Sequence, residues 1–183
     1  SALNDLTSGA GNIAIGYQAL QHNTTGAKNI AIGYGALSDQ NAGSNSADSD
    51  RNIAIGIESM AGAWADANSE NNVAIGSYTM QGAMNGLVLA GGSHNTILGA
   101  ESGVALNSGS NNTIMGFQAG DAMTDGADNT IIGKSAFSAA NSGESYNTMI
   151  GMNAGLSIDH ADSDNNVIIG YNAGAGGGAA MAG

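Results

Sequence analysis

Asn12-Ile-Ala-Ile-Gly-Tyr-Gln-Ala-Leu20 decides the fold, because it comes back. The same nonapeptide pattern begins again at Asn29, Asn52, Asn72, Asn95, Asn112, Asn129, Asn147 and Asn166. Each copy has Asn first and Gly fifth, so the chain carries a glycine column: Gly16, Gly33, Gly56, Gly76, Gly99, Gly116, Gly133, Gly151 and Gly170. Successive glycines lie 17, 23, 20, 23, 17, 17, 18 and 19 residues apart, a minimum period of 17 with insertions. Ser1-Ala2-Leu3 fits the end of a tenth copy.

A fixed period of this length is the signature of a chain that winds, one coil per repeat. Each copy offers two short strand-like runs: a β-branched or apolar one such as Ile13-Ala14-Ile15, and one after the glycine that ends on Ala, Ser or Thr. No segment keeps a 3.6-residue period for ten residues, so helices are not expected. The expected fold is an all-β parallel β-solenoid, a β-roll of nine to ten coils with a period of 17–23 residues. At the parallel-strand spacing of about 4.8 Å such a rod is roughly 45 Å long. Residues 1–174 form the solenoid domain and 175–183 a Gly/Ala-rich C-terminal tail. Stacked Asn side chains can hydrogen-bond along a ladder, and Gly marks a corner that excludes a side chain.

Composition excludes several function classes. The 183 residues include 15 acids against Lys28, Arg51 and Lys134, for a formal net charge of −12. Phosphate-backbone binding therefore lacks an electrostatic basis, and no nucleic-acid partner is expected. No apolar stretch reaches the ~18 residues that span a bilayer, so membrane insertion is not expected. No signal peptide is visible at Ser1. Cys and Pro are absent, which rules out disulfides.

The strand period assigns faces. The fourth position is Ile, Leu or Met throughout, which suggests that it faces the coil interior. The third position then points outward: Ala14, Ala31, Ala54 and Ala74, followed by Ile97, Ile114, Ile131, Met149 and Ile168. An outer apolar stripe of this kind is seldom left in water. Either it is an interface between identical chains, or the facing is reversed there. A homo-oligomer is the simpler account.

The phrase Asn-x-Ala-Ile-Gly-Tyr-x-Ala-Leu, followed by Asn23-Thr24-Thr25-Gly26, resembles repeats of phage tail-fibre proteins. It is also similar to the Val-Ala-Ile-Gly repeats in the head domains of trimeric autotransporter adhesins. The resemblance covers nearly the whole chain and is specific for architecture rather than function. It implies a homotrimer of parallel β-rolls, extracellular, on a cell surface or a virion, displaying an attachment surface. The period here is longer and less regular, and no coiled-coil stalk, membrane anchor or intramolecular chaperone is recognisable.

Insertions all fall between the ninth position and the next Asn, on one edge of the rod. The compact return has eight residues, Gln21 to Lys28. Ser38 to Arg51, Ala61 to Asn71 and Gln81 to His94 are longer and consecutive, so they stack into one protrusion. Rigid scaffolds often carry binding residues on such loops. Trp64, Asp66, Asn68, Glu70, Leu87 and Leu89 are the candidate ligand-binding residues, suited to a cell-surface glycan or protein. The plainer reading packs Trp64 under Leu87-Val88-Leu89 as a satellite core.

Asp48 and Asp50, and in the same register Asp162 and Asp164, are alternating carboxylates of the kind calcium takes. The pairs lie six coils apart and cannot share an ion, and a role as solvated turn residues fits them better. No cofactor other than calcium has candidate residues. Glu58 and Glu101, with Tyr78 between them, form the strongest catalytic constellation, at a stacking distance of about 9.6 Å. Their column is otherwise an ordinary polar exterior, so an enzyme is not expected. Two functions remain. One is an adhesive fibre or adhesin head attaching through its edge loops. The other is a purely structural subunit that polymerises end to end into an extracellular filament.

Overall fold

The computed structural model describes residues 1–38, 49–62, 69–81, 92–140, 143–158 and 163–176. Nine strands appear, one per repeat: β1 (Ile13–Ile15), β2 (Ile30–Ile32), β3 (Ile53–Ile55), β4 (Val73–Ile75), β5 (Thr96–Leu98), β6 (Thr113–Met115), β7 (Thr130–Ile132), β8 (Thr148–Ile150) and β9 (Val167–Ile169). They form one parallel sheet in chain order. The chain is therefore an all-β parallel β-solenoid, and no helix occurs among the described residues. Register is kept across long and short returns alike. Val73 pairs with Thr96 across a 23-residue step, and Thr96 pairs with Thr113 across a 17-residue one.

The run after the glycine is not a second strand. Its seventh and ninth positions adopt left-handed backbone in every repeat, as at Gln18 (φ 59) and Leu20 (φ 51), or Gln118 (φ 54) and Gly120 (φ 54). Alternating left-handed residues bend the segment into a turn, because extended backbone needs negative φ throughout. The turns still bond from coil to coil: Leu20 N–H donates to the Ala36 carbonyl and Gly35 N–H to that of Tyr17. Leu3 is left-handed (φ 51) and its N–H donates to the Ala19 carbonyl, so the first residues do continue a partial tenth coil. Ala175 also belongs to the winding, since its N–H donates to the Asn172 carbonyl and its carbonyl accepts from Ser157. Residues 177–183 of the expected tail lie outside the described residues.

Two columns hold the coils in register. The asparagines form a buried ladder. Asn95 Oδ1 accepts from the backbone N–H of Asn112 (2.9 Å) and from its Nδ2 (3.1 Å), while Asn95 Nδ2 reaches back to Asn72 Oδ1 and forward to the Gly109 carbonyl. The amide thus satisfies backbone groups that a corner would otherwise leave unpaired. The glycine column is steric. A Cβ on Gly33 would sit 2.2 Å from the carbonyl oxygen of Gly56, and one on Gly116 would sit 2.5 Å from that of Gly133.

The facing is the reverse of the sequence expectation. The middle residue of the strand, not its neighbours, points into the coil. Ala31, Ala54, Ala74, Ile97, Ile114, Ile131 and Met149 are fully buried, and Ala14 and Ile168 are partly buried against the same core. The seven fully buried residues present no surface to a second chain, so the expected outer apolar stripe at the third position is not on the outside of the coil. The switch from Ala to Ile in this column is a volume exchange inside the coil. Where the third position is Ala14, Ala31, Ala54 or Ala74, the ninth is Leu20, Leu37, Met60 or Met80. Where it is Ile97, Ile114, Met149 or Ile168, the ninth is Gly103, Gly120, Gly155 or Gly174. A Cβ on Gly103 would stand 2.9 Å from Ile97 Cδ1, and one on Gly174 would stand 2.8 Å from Ile168 Cδ1. The seventh repeat pairs Ile131 with Phe137, and there the residue three further on shrinks to Ala140, where the preceding repeats hold Leu106 and Met123. Close packing at constant volume explains each substitution.

The second and fourth positions therefore cover the outside of the sheet, beside the sixth. Ile15 is 59% exposed, Tyr17 62% and Ile169 63%. Tyr17 and Tyr34 stack with ring centroids 5.5 Å apart.

Candidate functional site

The sequence-derived ligand residues divide between described and undescribed chain. Trp64, Asp66, Asn68, Leu87 and Leu89 lie outside the described residues, as do Asp48 and Asp162. Glu70 is described and engaged: its carboxylate pairs with Arg51 and its N–H donates to Ser93 Oγ. Arg51 also donates through Nε to Asn71 Oδ1 (2.9 Å).

Asp50 and Asp164 tie neighbouring coils together. Asp50 Oδ1 accepts from Ala27 N–H (2.6 Å) and Asp164 Oδ1 accepts from Ser145 N–H (2.7 Å). Both stand two residues before a ladder asparagine, and serines do the same at other corners: Ser110 Oγ accepts from Ser93 N–H, and Ser145 Oγ from Ala127 N–H. A carboxylate oxygen facing a backbone N–H at a turn is a structural bond. No group of three or more His, Cys, Asp or Glu side chains placed to hold a metal ion occurs among the described residues.

The seventh position, where Glu58, Tyr78 and Glu101 stand, borders two hollows on the same edge. The tenth position forms the other wall. The first hollow, about 320 Å³, lies over the first three repeats and is lined by Gln18, Gln21, His22, Tyr34, Ser38 and Glu58. The second, about 390 Å³, lies over the fourth to sixth and is lined by Tyr78, Gln81, Glu101, Val104 and Asp121. They meet where Gln81 Nε2 donates to Glu58 Oε2 (2.7 Å). Glu101 Oε2 accepts from Gln118 Nε2 (2.9 Å). Glu58 and Glu101 thus border different hollows, each with an amide partner, rather than flanking one cleft as a pair of acids.

Two polar groups in these hollows stand out. Ser38 is 2% exposed, and its hydroxyl has no partner among the described residues. Asp121 Oδ1 is buried without a partner. Burial raises the Asp121 pKa above the usual carboxylate range, the Glu101 charge adds to the rise, and bonds from the Asp121 and Ala122 N–H groups partly offset it. Sequence reading singled out Glu58, Tyr78 and Glu101 but not Ser38 or Asp121. The signal was available in the tenth position, where Gln21, Ser38, Gln81 and Asp121 recur opposite the seventh.

No family model matches this chain, and neither a curated protein nor a solved structure matches it.

Proposed function

We propose that this chain is the structural and adhesive β-solenoid of an extracellular attachment fibre or adhesin head, assembled as a homo-oligomer through the outer face of its sheet. The observation that carries the reading is that face. The second, fourth and sixth positions of nine repeats place a single charged residue, Lys134, among their side chains, although the chain as a whole carries −12. Eight inter-strand steps of about 4.8 Å by four residues of about 3.3 Å give a plane of roughly 500 Å² before side-chain relief is counted. Thr96, Thr113, Thr130, Thr148, Ser77 and Lys134 interrupt it, and the apolar remainder is of the size that on monomeric proteins is often functional. Identical flat ladders match each other in spacing, and three such faces closing around one axis give the trimer implied by the fibre and adhesin repeats. Self-association through that face leaves the seventh and tenth positions for attachment to a cell-surface glycan or protein.

Ile132→Asp and Ile131→Asp test the assembly with adjacent residues. Ile132 lies on the outer face and Ile131 is buried in the coil. Ile132→Asp should give a folded monomer by light scattering and circular dichroism, because it places an unpaired charge in an apolar contact. Ile131→Asp should unfold its coil instead. A wild-type chain that is monomeric at tens of micromolar, or an Ile132→Asp chain of unchanged mass, removes the face from the interface. The filament alternative draws on β1 and β9, each paired on one side only. Long filaments by negative-stain microscopy would favour it.

A further inference from the structure

The file of hollows from Gln18 to Asp121 crosses six repeats, about 24 Å at the strand spacing. We propose that it binds an extended, neutral glycan chain, with the hollow over Ser38 as its centre. The proposal rests on the attachment reading and deepens it by naming a ligand class and a place.

The centre is opened by a missing side chain. Gly35 occupies the seventh position of its repeat with φ 61, and a Cβ there would lie 3.2 Å from Glu58 Cγ and 3.4 Å from Ser38 Oγ. The backbone does not call for glycine. The other eight repeats hold the same left-handed corner with larger residues, among them Gln18 (φ 59), Tyr78 (φ 58) and Gln118 (φ 54). A side chain at residue 35 would lie over the Ser38 hydroxyl. Its absence leaves a buried hydroxyl on the wall of an open hollow, without a partner among the described residues and placed to bond with what enters.

The lining fits sugars. Tyr78, 40% exposed, offers a ring face to the apolar side of a pyranose. The Gln18 and Gln21 amides and the Glu58 and Glu101 carboxylates supply donors and acceptors for hydroxyls. The carboxylates oppose an anionic chain, and His22, the one lining group able to carry positive charge, already faces Asp5 at 2.7 Å. Length fits as well, because one coil rise is close to the length of one sugar unit in an extended chain. The acids stop where the hollows stop. In the seventh to ninth repeats the two wall positions hold Ser135, Asn153 and Asn172 opposite Ser138, Leu156 and Ala175.

The test uses the full chain and defined probes: cellohexaose, chitohexaose and maltohexaose, their disaccharides, and a hyaluronan hexamer as the anionic control. Titration calorimetry and saturation-transfer NMR should find at least one neutral hexasaccharide bound more tightly than its disaccharide and than the hyaluronan hexamer. Gly35→Gln, which copies the first and sixth repeats, should weaken binding by about tenfold or more while lowering the melting temperature by no more than about 2–4 °C, the cost of one side chain in left-handed backbone. Tyr78→Ala should weaken it by about two- to tenfold, on the scale of one aromatic contact. Tyr146→Ala, exposed on another column, should leave it unchanged. Neutral hexasaccharides that do not bind, or a folded Gly35→Gln chain that binds as wild type, overturn the proposal. Adhesion to cells that survives both Gly35→Gln and Tyr78→Ala overturns the groove and leaves the fibre reading standing. Hexasaccharide binding by a chain that stays monomeric and adheres to no surface keeps the groove and removes the fibre reading.

Discussion

The exchange of volume between the third and ninth positions can be measured at the repeat where it begins. Ile97 is fully buried, and the preceding repeat holds Ala74 and Met80 at the equivalent positions. Ile97→Ala removes three carbons, about 2.4 kcal/mol of transfer energy at ~0.8 per methylene, and the cavity left behind brings the cost to about 3–4 kcal/mol. Gly103→Leu alone forces a Cβ to within 2.9 Å of Ile97 Cδ1. Overpacking of that kind costs about 1–3 kcal/mol, and a non-glycine residue at φ 55 adds about 1 kcal/mol. The double variant Ile97→Ala/Gly103→Leu rebuilds the Ala/Leu pairing of the first two repeats, and Leu20 and Leu37 already sit at φ 51 in that position. Its cost should fall to about 1–1.5 kcal/mol, a coupling of at least ~3.5 kcal/mol between the two changes. Urea unfolding followed by circular dichroism reads all four corners of the cycle. For a chain of this size each kcal/mol also moves the melting temperature by about 2–4 °C. Additive single effects, with a coupling under ~0.5 kcal/mol, would refute the idea that the two columns share one volume.

Three further outcomes follow from the ladders and the hollow. Asn95→Ala removes an amide that bonds to repeats on both sides and leaves the Asn112 N–H and the Gly109 carbonyl without it; a loss of about 3 kcal/mol by urea titration is expected, against near-neutrality if the column were only a turn preference. Gly116→Ala drives a Cβ to 2.5 Å from the Gly133 carbonyl, at least about 3 kcal/mol, readable as a lower unfolding midpoint. Asp121→Asn should stabilise the chain near neutral pH. Burial raises the pKa of the folded state, so the cost of the ionised form appears as pH rises through that value and is absent below the unfolded one. The gain in melting temperature should therefore fade between about pH 7 and about pH 3, and a gain independent of pH would contradict the cause assigned.

The winding was legible because its determinants repeat without exception. Asn at the first position and Gly at the fifth survive every insertion, and the hydrogen-bond ladder and the 2.2–2.5 Å approaches explain why. The facing was not legible from the strand alone. Ile at the fourth position reads as core by hydrophobicity, yet the third position is the one that turns inward. The coil takes Ala with Leu or Met, Ile or Met with Gly, and in the seventh repeat Ile131 with Phe137, where Ala140 makes room. The clue lay six residues downstream, in the glycines that appear at Gly103, Gly120, Gly155 and Gly174 only after the third position has become large. The second expected strand failed because Gln18, Glu58, Met60 and their equivalents sit in left-handed backbone that their residue types do not announce. In the site, the acids and Tyr78 could be read from sequence, whereas the hollow could not. It depends on Gly35 lacking a side chain over Ser38, which only the stacking of coils brings together.

The asparagine ladder has a genetic consequence. Every internal rung shares one bond on each side: its backbone N–H donates to Oδ1 of the asparagine before it, and its own Oδ1 accepts from the N–H of the asparagine after it. A point change at one rung therefore breaks bonds on two sides. Excision of a whole unit, such as residues 112–128, joins residue 111 to Asn129 and hands Asn129 to Asn95 as an equivalent partner, at the same 17-residue step. Removing seventeen residues is then gentler than altering one. Unequal exchange between such units changes the reach of the molecule while leaving each joint intact. Length becomes the trait that varies freely, and the single amide the one that cannot.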